Sequence, residues 1–148
     1  MEELRGLFHT MTKRFGFLNK NCCSVGTCQL SIVQSHILFE IDRHHKPSMQ
    51  QIADSLGMDI TTFSRQIQSL TRLKLVKKTP SESDKRVYLL SLTTEGTFVA
   101  ESINCEMNSY LEEVFGRMNP FERETVIRSI KLLNDSMEQT GMCCSPVR

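Results

Sequence analysis

Apolar residues recur at helical spacing from the start of the chain. Leu4, Leu7, Phe8, Met11, Phe15 and Leu18 form one stripe over residues 3–18. The stripe breaks across Asn19 to Gly26. Ser31, followed by Gln34, has the spacing of a capping box and opens a second helix with Ile37, Leu38 and Ile41 on its apolar side. His44, His45, Lys46 and Pro47 end it. Ser48 and Gln51 repeat the capping-box spacing and open a short third helix carrying Ile52 and Leu56, closed by Gly57. Asp59 then caps a fourth helix whose stripe is Phe63, Ile67, Leu70 and Leu73.

After "KLVKK" the period changes. "LVKKT" and "RVYLLSL", separated by the turn-forming "TPSESDK", predict a β-hairpin. Thr93 or Thr94 caps a long helix running to about Arg117. Asn119, Pro120 and Glu122 supply a cap, a first-turn proline and a third-position carboxylate for a last helix, with Val126, Ile127, Ile130, Leu133 and Met137 as its stripe. No internal repeat or low-complexity segment interrupts this order. Two short helices joined at Gly57 and followed by a hairpin predict a mainly α fold with a small β-hairpin wing: a winged helix-turn-helix core plus a helical dimerisation region. The terminal helices carry more apolar surface than so small a module covers alone, so a homodimer is expected.

Composition narrows the class. The chain has 148 residues, 39% hydrophobic and 24% charged, with a net charge of +1. That fits one folded domain with a core of its own. No apolar run approaches a membrane span, so no membrane partner is expected. "MEELRGLFHT" is acidic at once and lacks an apolar signal core, so the expected location is the cytoplasm, where cysteines stay reduced. The small net charge hides an asymmetry. Residues 59–88 carry seven basic and three acidic groups, net +4, while residues 89–148 carry five basic and nine acidic, net −4. A local basic block on a neutral chain is either a solvated face or a surface for a polyanion.

The fourth helix bears on that choice. Opposite its apolar stripe it presents Thr61, Thr62, Ser64, Arg65 and Gln68, and there is no Lys or Glu between Asp59 and Arg72. A solvated face ordinarily uses Lys and Glu. A helix entering a major groove needs short hydroxyl donors to phosphates, and Arg or Gln for paired contacts to base edges. The hairpin tip adds Lys85 and Arg86, an arrangement suited to a narrow minor groove, with Asp84 placed to hold the Arg86 guanidinium. Double-stranded DNA is the expected partner.

The segment "SMQQIADSLGMDITTFSRQIQSLTRLKLVKKTPSESDKRVYLLSLTTEG" resembles the winged-helix core of the MarR family of bacterial transcription regulators. The features that carry the resemblance are "IADSLG", the threonine-rich reading helix with Ser64-Arg65, "LV" entering the wing, Asp84-x-Arg86 within it, and "LT" then Gly96 leaving it; "LSIVQSHIL" resembles the family's second helix. The likeness in helix order covers nearly the whole chain. It implies a single domain over 1–148, with the DNA-binding core at 29–93 and dimerisation helices and tail at 1–28 and 94–148. It also implies an obligate homodimer joined by the first, fifth and sixth helices, binding a palindromic operator and usually repressing. Lys74 departs from the pattern, since glycine commonly ends the reading helix and a left-handed cap is costlier for lysine.

Members of the family respond to a ligand, a metal or an oxidant, and here the cysteines bear on the choice. Cys22, Cys23 and Cys28 lie within seven residues, and Cys143 and Cys144 sit near the C-terminus. Adjacent Cα atoms about 3.8 Å apart are too close for an unstrained disulfide, which spans roughly 4.4–6.8 Å. Thiolates suit soft metal ions and trivalent arsenicals, so Cys28, one of Cys22 or Cys23, and a tail cysteine are candidate ligands. A redox sensor using the same thiols, an organic inducer, and incidental thiols remain the alternatives. No resident cofactor is required. Cys105 is expected to face a second packing surface or solvent, His36 to be packed, and His9, His44 and His45 to be solvated. No phosphate loop, nucleophile elbow or paired metal-binding histidines appear, so an enzyme is not expected; a winged-helix adaptor without DNA is disfavoured by the reading face and the basic wing.

Overall fold

Five helices start on a side-chain cap at the residue the spacing predicts. In the computed structural model, which describes residues 3–16 and 23–141, Ser31 and Gln34 form both bonds of a capping box at the start of α2 (Ile32–Arg43). Ser48 and Gln51 do the same for α3 (Met49–Ser55). Asp59 caps α4 (Ile60–Arg72) through the Thr62 N–H at 3.0 Å, and Thr93 caps α5 (Thr94–Gly116) through the Gly96 N–H at 2.9 Å. Asn119 and Glu122 box the start of α6 (Pro120–Thr140), with Pro120 in its first turn. The first helix, α1 (Leu4–Phe15), is shorter than its apolar stripe because the chain turns left-handed at Gly16; Leu18 lies outside the described residues.

Two small antiparallel hairpins complete the fold. The wing pairs β3 (Val76–Pro80) with β4 (Tyr88–Leu92), from Val76 opposite Leu92 to Pro80 opposite Tyr88. Ser48 bridges to Leu89, and the Leu90 N–H donates to the Pro47 carbonyl at 2.8 Å, so the segment leading into α3 adds a short third edge to the wing. The other hairpin was not expected from the sequence. β1 (Cys23–Val25) and β2 (Cys28–Leu30) pair around a two-residue turn at Gly26 and Thr27. Within it Cys23, Val25, Cys28 and Leu30 share the inward face, while Ser24 and Gln29 are exposed.

The buried cluster unites Cys23 and Leu30, Ile37, Leu38 and Ile41 of α2, Ile52 and Ala53 of α3, Phe63, Ile67 and Leu70 of α4, Val76 and Leu90 of the wing, and Val99, Ala100 and Ile103 of α5. It runs past both ends of the 29–93 span. α1 and α6 contribute no buried residue. The architecture is a winged helix-turn-helix with additional helices at both ends.

Helices α3 and α4 end in the same way. After α3, the Gly57 N–H donates to the Asp54 carbonyl at 3.1 Å and the Met58 N–H to the Ala53 carbonyl at 2.9 Å. After α4, the Lys74 N–H donates to Thr71 at 2.9 Å and the Leu75 N–H to Leu70 at 3.0 Å. Both are Schellman turns, which need a left-handed residue: Gly57 has φ 64° and Lys74 has φ 61°. The turn after α4 corrects one expectation. Leu73 does not extend the buried stripe; it caps the helix and is 42% exposed. The reversal at Lys74 brings Leu75 back onto Leu70, and both are buried.

The start of α5 locks onto this turn. The Thr93 hydroxyl donates to the Lys74 carbonyl at 2.7 Å, and the Thr93 N–H to the Leu75 carbonyl at 3.0 Å. Gly96 sits directly over the Leu75 peptide, where an added Cβ would overlap the carbonyl oxygen and lie 2.8 Å from the carbonyl carbon. Gly96 is therefore required by close approach to backbone.

Candidate nucleic-acid interface

Helix α4 divides its surface sharply. Phe63, Ile67 and Leu70 are buried, and Thr61, Thr62, Ser64, Arg65 and Gln68 are all exposed. Thr61, Arg65, Gln68 and Arg72 fall four, three and four residues apart, which places them along one outward line. Arg72 is thus a fourth member of the stripe, and its spacing from Arg65 was a signal present in the sequence. The polar link between α4 and α2 comes from Gln34, whose side-chain amide donates to the Ser69 hydroxyl at 3.4 Å. Hydrogen bonds from the Thr62 side chain and backbone hold the Asp59 carboxyl below the usual carboxylate range, so the cap stays charged at neutral pH.

The wing tip has a defined shape. The Ser81 N–H donates to Val87 at 2.8 Å and the Val87 N–H to Asp84 at 2.9 Å. One Asp84 oxygen accepts from the Arg86 backbone N–H at 3.0 Å and from its Nε at 3.2 Å; the other accepts from Nη2 at 3.4 Å. These bonds lower the Asp84 pKa. The Arg86 side chain is 91% exposed, so Asp84 aims a guanidinium that otherwise stands in solvent. Lys85 is also exposed. An exposed pair of this kind adds little to stability, and its effect is on direction.

The cysteines do not form one cluster among the described residues. Cys22, Cys143 and Cys144 lie outside them. Cys23 is buried in the core, Cys28 is half-buried, and Cys105 is exposed on α5. Burial, and next the nearby Glu95 carboxylate, push the Cys28 thiol pKa up. No group of three or more His, Cys, Asp or Glu side chains converges as a metal site among the described residues. His36 is exposed, against the expectation that it packs, because it falls with Val33 and Arg43 on the outward side of α2. His44 is exposed with its Nε2 3.3 Å from Glu40, and His9 and His45 are exposed.

The model of the MarR family matches residues 29–87, from β2 through the wing tip. That segment of the chain resembles the MarR family. The transcriptional regulator PrsX of Escherichia coli is 31% identical over 80 residues, covering 54% of this chain and 48% of PrsX. The regulator PapX of the same organism is 28% identical over 87 residues, covering 59% of this chain and 53% of PapX. The chain thus spans about half the length of these relatives. Streptococcus pneumoniae FabT, solved in complex with DNA, superposes with a TM-score of 0.80 at 18% identity, covering 93% of this chain and 96% of FabT. At that identity the likeness establishes the fold, including the end helices that the family model does not reach. No described helix is long and apolar enough to cross a membrane.

Proposed function

We propose that the chain is a DNA-binding transcription regulator, acting as a homodimer that represses from a palindromic operator and releases it when an inducer binds. One observation carries the reading: the exposed line Thr61, Arg65, Gln68 and Arg72 on α4, without an acidic residue, beside a wing whose arginine is aimed by its own carboxylate. PapX and PrsX are named as transcriptional regulators, and FabT was solved on DNA, which supports the same reading. The apolar residues left exposed on α1 and α6, such as Leu4 at 71% and Leu132 at 69%, are the surface a second copy would cover.

The test is binding to duplex DNA from upstream of the chain's own gene, titrated across salt. Arg65→Ala should cost about 1–3 kcal/mol if its contact to guanine is paired. Arg86→Ala should weaken binding and flatten the salt dependence. Unchanged affinity in both variants removes this docking, and a monomer at micromolar concentration in sedimentation removes the dimer.

A crevice of about 270 Å³ favours an organic inducer. Arg14 and Phe15 of α1, Cys23 of β1, Ile32 of α2, and Glu106, Met107 and Tyr110 of α5 are among the residues that line it, so it joins an end helix to the DNA-binding core. With a guanidinium and a carboxylate both on a wall that is otherwise largely apolar and aromatic, it suits a small ring compound that carries polar groups. A second reading keeps the thiols: Cys23 forms part of the same wall, and Cys28 shares its hairpin face. A soft metal ion or trivalent arsenical, held with cysteines outside the described residues, would then be the inducer, or an oxidant acting on those thiols. Operator release by arsenite or peroxide that vanishes when Cys22, Cys23 and Cys28 become serine selects the thiol reading. Release by neither leaves the organic ligand.

A further inference from the structure

The wing carries a second cation whose direction is set by the strand register. Val76, Lys78 and Pro80 of β3 lie opposite Leu92, Leu90 and Tyr88 of β4, so all six side chains stand on one face of the hairpin. Val76 and Leu90 on that face are buried in the core. It is the face turned toward the helices. Past the edge of the core the same face continues into Lys78 and Tyr88, both exposed. Lys77, the preceding residue of the strand, is on the opposite face.

Lys78 is also held. Its Nζ sits 4.2 Å from the centroid of the Tyr88 ring, within the range of a cation–π contact. A lysine ordinarily samples many rotamers, and a partner that holds its ammonium in one place reduces the freedom lost when that ammonium binds an anion. The ring holds the ammonium without neutralising it as a carboxylate would, so its positive charge remains available to a phosphate. The surrounding segment, residues 59–88, has a net charge of +4.

We infer that Lys78 is a DNA-backbone contact of the wing, and that Tyr88 is its positioning residue. The inference rests on the DNA reading proposed above and adds a phosphate contact to the inner wing face, separate from Arg86 at the tip. A phosphate contact carries no base information. Its signature is a uniform loss of affinity and a shallower salt slope.

The experiment measures affinity of the full chain for two duplexes, one from upstream of its gene and one of unrelated sequence, between about 50 and 200 mM salt. Lys78→Ala should weaken both duplexes by the same factor and make the slope shallower by about 0.9. Lys77→Ala should leave the slope unchanged. Tyr88→Leu keeps every charge and should weaken both duplexes, while Tyr88→Phe, which keeps the ring face, should bind as the wild type does. An unchanged slope in Lys78→Ala, or an equal change in Lys77→Ala, overturns the contact. Equal binding by the leucine and phenylalanine variants overturns the positioning role. Each of these outcomes presupposes salt-dependent binding by the wild-type chain; its absence overturns the DNA reading and this inference together.

Discussion

Helices α4 and α6 are both striped with apolar residues, and the two stripes have opposite fates. In α4, Phe63, Ile67 and Leu70 are each at most 1% exposed. In α6, no residue is buried, and Phe121 is 80% exposed. The difference lies in what surrounds them. α4 is held by α2, α3, the wing and the first turns of α5, whose residues all enter one cluster. α6 follows α5 after a short turn and leaves that cluster behind. An amphipathic stripe therefore states that a helix needs a partner without stating which one. For α4 the partner is in the same chain; for α6 the proposed partner is another copy.

The largest effect that sharpens this contrast is loss of a core ring. Phe63→Ala should destabilise by about 3–5 kcal/mol, seen as a lower urea midpoint. A loss under about 1 kcal/mol would break the view that α4 sits in a tightly closed core. Next is Gly96→Ala, where the obstacle is the Leu75 backbone and cannot rotate away. We expect about 3 kcal/mol, at the upper end of overpacking costs, again by urea denaturation.

On the other side of the comparison, Ile130→Ala on α6 should cost about 1–2 kcal/mol per subunit. That loss should vary with protein concentration, as association requires. A thermal midpoint independent of concentration in both proteins breaks the second-copy reading. Smaller still, Lys74→Gly should raise stability by up to about 1 kcal/mol, because Lys74 occupies a left-handed conformation that Gly57 adopts at the equivalent turn. A lower urea midpoint would show that the lysine side chain offsets its backbone cost.

The smallest effect is on pH dependence. Folding lowers the pKa values of Asp59 and Asp84. Such groups favour the folded state above the unfolded carboxylate value, about 3.9, and that contribution fades as pH falls through the lowered values. Asp59→Asn and Asp84→Asn should therefore flatten the acid end of the stability curve and leave its shape unchanged above about pH 6.

Much of the fold was legible because the signals were local. Capping boxes at Ser31, Ser48 and Asn119, and single caps at Asp59 and Thr93, act within three residues and appear where the spacing predicts. The wing was legible from its change of period. The β1–β2 hairpin was not, because its strands have three residues each, too few for a period to register, and three cysteines in that stretch drew a chemical reading. His36 was misplaced because one histidine among apolar neighbours gives no sign of which side of α2 it takes; the outward line of Val33, His36 and Arg43 decides it. In the candidate interface, Thr61, Arg65 and Gln68 were legible as one face. Arg72 was overlooked though it repeats their spacing, and Lys78 was hidden because its direction depends on pairing with β4.

By itself the sequence determined where helices begin, which faces are apolar, where the wing turns, and that α4 presents an arginine-bearing face without acids. These follow from bonds and periodicities that span a few residues. Only the tertiary structure decided that Leu75 replaces Leu73 in the core, that Gly96 must yield to the Leu75 carbonyl, that Pro47 and Ser48 border the wing, and that Lys78 turns inward over Tyr88. Each of those depends on segments far apart in the chain meeting at van der Waals or hydrogen-bond distance, and such contacts are fixed by the packing of whole elements against one another.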